Sequence, residues 1–90
     1  MNKAEMIEVI ARQAEISKSA AERSIDAMVA AVKSSLKKGQ EVNLVGFGSF
    51  YVVARAARSG RNPRTGEKVA IAAARIPKFR PGKGLKDALN

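Results

Sequence analysis

Apolar residues in the first 39 positions recur at helical spacing, in two blocks. Met6, Ile7, Ile10, Ala11 and Ala14 form one stripe. Asn2 stands where it can cap that helix, and Glu5 follows at the capping-box position. Glu15-Ile16-Ser17-Lys18 is a short connection, after which Ser17 or Ser19 can cap a second helix, with Glu22 at the box position of Ser19. Ala21, Ile25, Met28, Val29, Val32 and Leu36 then repeat at three- and four-residue steps. Lys37 and Lys38 suit the negative end of a helix dipole and Gly39 supplies a stop. The pattern predicts two antiparallel helices, each burying one stripe.

Beyond Gly39 the period changes to two. Val42 and Leu44 share a face, Gly46-Phe47-Gly48 reverses the chain, and Phe50 and Val52 share a face of a strand over Ser49–Val53. Val69–Phe79 reads as a third strand, interrupted by Pro77. Residues 81–90 predict a short helix with Leu85, Ala88 and Leu89 inward and Lys83 and Lys86 outward. The three phenylalanines, Phe47, Phe50 and Phe79, all fall in or beside this sheet. Base stacking is open to them, but the reading favours core or dimer contact, since aromatics dominate buried area.

Between the strands lies a segment of different composition. Ala54–Arg75 holds seven Ala, five Arg and Lys68, with Val69 and Ile71 as its only larger aliphatics. It cannot bury enough apolar surface to fold onto a body. Its centre, Arg61-Asn62-Pro63-Arg64-Thr65-Gly66, carries Pro preset for the second position of a turn and Gly for a left-handed residue. Flanking halves can pair as a ribbon, marginal alone and ordered by a partner. At about 3.3 Å per residue, the stretch from Val53 to Pro63 reaches roughly 33 Å, enough to wrap a duplex. Small Ala side chains keep it thin.

Charge then separates the two halves. The 90 residues carry 17 Lys plus Arg against 8 Asp plus Glu, a net +9. Residues 1–45 hold seven basic and six acidic groups, whereas residues 46–90 hold ten basic groups against Glu67 and Asp87. A near-neutral scaffold joined to a basic half is the footprint of a polyanion binder. Of the 46% hydrophobic residues, sixteen are Ala, a thin supply for an isolated core, and with no Cys to staple it the remaining remedy is oligomerisation. Neither His nor Cys is present, and six of the eight carboxylates are dispersed over residues 1–41, so no enzyme, no metal site and no cofactor are expected. The longest apolar runs, Ala27–Val32 and Val69–Ala74, are too short for a bilayer span, and Glu5 and Glu8 interrupt any signal-peptide core, so a cytoplasmic protein is expected. A membrane-surface protein would need a basic amphipathic helix, and both N-terminal helices are nearly balanced in charge.

The whole chain resembles the bacterial histone-like HU proteins, relatives of integration host factor. The resemblance is carried by Met1-Asn2-Lys3, by Leu44-Val45-Gly46-Phe47-Gly48-Ser49-Phe50, by the gapless Arg58-Ser59-Gly60-Arg61-Asn62-Pro63-Arg64-Thr65-Gly66, and by Gly82-Lys83 with Leu85-Lys86-Asp87-Ala88. With the patterns above it implies an α+β fold in a single domain over 1–90. Its parts are a two-helix base (1–39), a three-stranded antiparallel sheet (41–53 and 69–80), an extended β-ribbon arm (54–75) and a short C-terminal helix (81–90), assembled as an intertwined dimer. Two arms would grip double-stranded DNA through the minor groove, with Pro63 intercalating. On the residues alone Pro63 is equally a turn former. By matching position Arg55, Arg58, Arg61, Asn62 and Arg64 become arm contacts, and Lys3, Lys78, Arg80, Lys83 and Lys86 body contacts with phosphate. Lys68 and Arg75 complete the DNA-binding set. Ala4, Gly84 and the Pro81 before the last helix depart from the commonest pattern of the family. Gly in a helix interior costs about 1 kcal/mol, so that helix is expected to fray.

A non-sequence-specific architectural protein of the bacterial cytoplasm and nucleoid is the implied function: it would bend, compact and stabilise DNA. Asn62 is the only amide in the basic segment, so base readout is sparse and bent, nicked or gapped DNA is expected to be preferred. The subunits form either a homodimer or a heterodimer with a paralogue. Secondary RNA binding stays open, although the arm has no aromatic for stacking.

Overall fold

The computed structural model describes all 90 residues. They form α1 (Lys3–Ala14), α2 (Lys18–Lys37), β1 (Val42–Leu44), β2 (Gly48–Arg55), β3 (Arg58–Arg61), β4 (Lys68–Ile71), β5 (Ala74–Pro81) and α3 (Lys83–Leu89). The structure divides into two compact units, Met1–Ser34 and Ser35–Asn90.

In the first unit the helix ends are set by side chains. Asn2 Oδ1 accepts the Glu5 N–H at 2.9 Å and fixes the start of α1. Glu15 ends it in the left-handed region, at φ 56°, its N–H donating to the Ala11 carbonyl. Ser17, rather than Ser19, opens α2, accepting the Ala20 N–H at 3.0 Å. The stripes lie where the spacing put them, but they are not buried as expected. Ala21 alone is sequestered, while Met28 and Val29 keep 49% and 46% of their surface exposed. Two helices of this length present stripes that they cannot cover by themselves.

The second unit is built on a three-stranded antiparallel sheet in the order β1-β2-β5. Gly39 at φ 76° turns the chain out of α2, and Gly46 at φ 85° makes the reversal into β2 possible. Register pairs Val42 with Phe50, Phe50 with Phe79 and Val52 with Pro77. Alternation therefore puts these five on one face and Asn43, Ser49, Tyr51, Val53, Arg55, Ile76, Lys78 and Arg80 on the other. On the apolar face Phe79 sits between two rings, its centroid 5.5 Å from Phe47 and 4.9 Å from Phe50. The cluster is open to one side, with Phe47 46% exposed.

The expected third strand, Val69–Phe79 broken at Pro77, is instead two strands that part at Ala72-Ala73. Pro77 lies inside β5, because β5 is an edge strand and half of its N–H positions have no ladder partner to lose. The three-stranded sheet thus contains residues 74–81 rather than 69–80 on this side, and β4 joins β3 as a separate two-stranded ribbon. α3 forms despite Gly84. Its first turn docks on the reversal: the Gly82 N–H donates to the Phe47 carbonyl at 2.8 Å and the Leu85 N–H to the Gly46 carbonyl at 3.1 Å. A Cβ at position 84 would collide with that Gly46 oxygen, so glycine here permits the close approach rather than merely weakening the helix.

Phe79→Ala removes both ring contacts at once and should lower unfolding stability by about 3 kcal/mol in a denaturant titration. A loss below about 1 kcal/mol, the low end for aromatic pairs, would mean the cluster is not structural.

Candidate nucleic-acid interface

The cations are placed by the same two-residue alternation that places the phenylalanines. Arg55, Lys78 and Arg80 stand on the sheet face opposite the rings. The ribbon continues the sheet's register, with Arg55 paired to Ala74 before the break and Arg58 paired to Ile71 after it. Ala56-Ala57 and Ala72-Ala73 form the break itself. Within the ribbon, alternation puts Arg61 and Lys68 on one side and Arg58 on the other. Arg61 and Lys68 are direct cross-strand partners. Like charges so opposed destabilise a lone ribbon, and an anion between them removes the repulsion.

The ribbon tip is a closed, hydrogen-bonded turn. The Asn62 N–H donates to the Glu67 carbonyl at 2.9 Å and the Gly66 N–H to the Asn62 carbonyl at 2.8 Å. Asn62 Oδ1 accepts the Arg64 N–H at 2.9 Å, and Gly66 adopts φ 74°. Pro63 and Arg64 are left exposed at the extremity. Asn62 is half-buried and its side-chain oxygen is committed to the turn, which leaves its amide N–H groups for a partner.

The structure does not gather every expected contact into this surface. Arg75 donates to the Leu36 carbonyl at 2.8 Å and the Lys37 carbonyl at 2.9 Å. It lies on the ring-bearing side of the register and caps the end of α2, where unpaired carbonyls and the helix dipole attract a cation. In the free protein Arg75 is therefore engaged at the end of α2 as well as being a candidate DNA contact. Arg55 donates to the Ala72 carbonyl at 3.3 Å, bridging one strand to the break in the other. Arg80 stands 4.6 Å from the centre of the Tyr51 ring and 3.5 Å from Glu41 Oε1. Lys83 and Lys86 lie three residues apart on α3, both exposed. Lys3 belongs to the other unit and pairs with Asp26 at 2.8 Å; the hydrogen bond and attraction of that carboxylate raise its pKa. Sequence reasoning missed Tyr51, Glu41 and the role of Arg75. For Tyr51 the signal was present, since it occupies the odd positions of β2 with Arg55, away from Phe50.

No group of His, Cys, Asp and Glu side chains able to hold a metal ion occurs in the structure, and no helix is long and apolar enough to cross a membrane.

The model of the family described as bacterial DNA-binding protein matches residues 1–90. The chain is 62% identical over 89 residues to DNA-binding protein HU-beta of Neisseria meningitidis, covering 99% of this chain and all of that one. It is 59% identical over 90 residues to DNA-binding protein HU-beta of Escherichia coli, covering both chains in full. Among solved structures it is similar to the Anabaena HU–DNA cocrystal structure, with a TM-score of 0.87, 39% identity, and coverage of 99% of this chain and 97% of that one. HU from Thermotoga maritima follows with a TM-score of 0.72 and 31% identity over the full length of both.

Arg75→Ala should cost about 1–2 kcal/mol in a melting experiment, because two carbonyls at the end of α2 lose a charged donor. It should reduce affinity for duplex DNA less than Arg61→Ala does at the same salt concentration. The reverse ranking would make Arg75 chiefly a DNA contact.

Proposed function

The chain belongs to the bacterial DNA-binding protein family, and we propose that within it this protein grips DNA through the minor groove, bends it and helps compact it in the bacterial nucleoid. It is an architectural DNA-binding protein, not an enzyme. The observation that carries the reading is the ribbon. Arg61 and Lys68 face each other without a carboxylate partner, while Pro63, rigid and apolar, stands at the tip between Arg61 and Arg64.

Cations of this kind suit the narrow, electronegative minor groove. An apolar wedge parts a base step at a cost of a few kcal/mol, which the contacts made by wrapping offset. Arg55, Lys78, Arg80, Lys83 and Lys86 supply phosphate contacts from the body, with Arg58, Arg61, Arg64, Lys68 and the Asn62 amide on the arm. Lys3 joins them on separating from Asp26. Binding then rests on phosphates and deformability more than on base edges, so DNA already bent, nicked or gapped is preferred. Uncovered stripes on α1 and α2 and the open side of the phenylalanine cluster support an intertwined dimer, of two identical chains or of this chain with a paralogue.

Two measurements test the reading. With about eight phosphates neutralised, log K should fall with log salt at a slope near −7. A slope shallower than about −3 would contradict an extensive phosphate footprint. Pro63→Ala should separate bending from binding. Its arginines remain, so attachment to straight duplex changes little, while the bend angle in circularisation or single-molecule assays decreases. Arg61→Ala should instead weaken binding to every DNA tested. An undiminished bend in Pro63→Ala excludes Pro63 as the wedge.

A further inference from the structure

Tyr51 is the only tyrosine in a chain without tryptophan, and it occupies the cationic face of the sheet directly across from Lys78. Arg80 Cζ lies 4.6 Å from its ring centroid. The same guanidinium is held from one edge by Glu41, with Nη1 3.5 Å from Oε1, yet the Arg80 side chain remains 60% exposed. Arg80 thus reaches across β2, from β5 toward the residue before β1, with the tyrosine ring against it. The Glu41 contact engages Nη1 alone, so a second guanidinium edge stays available to phosphate. The outer surface of the pair stays open as well, and guanidinium and aromatic surfaces stack on bases.

We propose that Tyr51 and Arg80 form a stacking platform for an unpaired DNA base, with Lys78 and Arg55 on the same face taking the flanking phosphates. The proposal rests on the DNA-binding reading and adds base stacking, a role that paired DNA does not call on. In an intact or nicked duplex every base is paired and stacked on its neighbours. A gap frees a base that can leave the helix without breaking a pair, so the energetic penalty of presenting it is small. The platform therefore discriminates gapped from nicked DNA, whereas the ribbon tip responds to the flexibility that both share.

The test compares affinities for a gapped and a nicked duplex of equal length. Tyr51→Ala should lower the gapped-over-nicked ratio about fivefold or more, the size expected for one lost base–aromatic stack. Tyr51→Phe, which keeps the ring, should restore the ratio. The unaltered protein gives a second readout, because all tyrosine emission comes from this position. Emission should be quenched more by gapped than by nicked DNA at equal saturation. Equal quenching by the two DNAs, or a Tyr51→Ala ratio equal to that of the parent, overturns the platform and leaves the ribbon's role standing. A parent protein that bound neither duplex would instead overturn the DNA-binding reading itself.

Discussion

Water still reaches every apolar side chain but one in a single copy of this chain. Ala21 is its one fully sequestered hydrophobic side chain, and Met6, Met28, Val29, Phe47 and Phe79 remain between 38% and 49% exposed. Burial yields roughly 25 cal/mol per Å² of apolar surface, and ordering a residue costs about 1–2 kcal/mol. A lone chain with this little coverage has almost nothing to set against its lost entropy. A second surface is needed for the fold to persist, and a second copy is the occupant we propose. That requirement also orients the rest: once the phenylalanine face of the sheet is given to a partner, its opposite face is the one left for a ligand.

Period-two alternation turns this constraint into chemistry. In β2 and β5 each step that places Phe50 or Phe79 on the apolar face places Tyr51, Lys78 or Arg80 on the other. Register slippage by one residue would exchange the faces of cations and rings, so the aromatic cluster that stabilises the sheet also fixes which side is cationic. Beyond the Ala-rich break pairing resumes with the same residue offset, Arg55 with Ala74 before it and Arg58 with Ile71 after it.

Helix spacing, the turn glycines and the basic arm were legible because each rests on local chemistry. Asn2, Gly39, Gly46 and Gly66 do what their residue types predict. The break at Ala72-Ala73 was not legible, because no residue there punctuates the chain, whereas Pro77 looks like an interruption until β5 is known to be an edge. The contacts of Arg75 were hidden for a related reason: sequence counts cations but does not show which ones find a carbonyl. Its partners, Leu36 and Lys37, lie almost forty positions away, and only the folded register brings them within reach. Gly84 was a liability by propensity and a contact by geometry.

The cations consequently divide into two populations with different energetics. Arg75, with Nη1 and Nη2 both on carbonyls at the end of α2, helps hold the structure. Arg61 and Lys68 do the reverse. Paired across the ribbon with like charge, they make the free arm less stable than its hydrogen bonds alone would, and on the proposed reading they would recover that energy when a phosphate or the minor groove supplied the missing negative charge. Ordering of the arm and binding of DNA then become one event. Four alanines at the break keep the arm thin and weakly anchored, and the closed turn at Asn62–Gly66 holds its tip in shape while the strands behind it adjust. A stiffer, better-packed arm would bind with a smaller ordering cost, but it would also impose one curvature on every duplex. An arm stabilised chiefly by its ligand could follow the curvature that each DNA sequence most easily adopts, which is what the proposed binding without base-specific contacts would require.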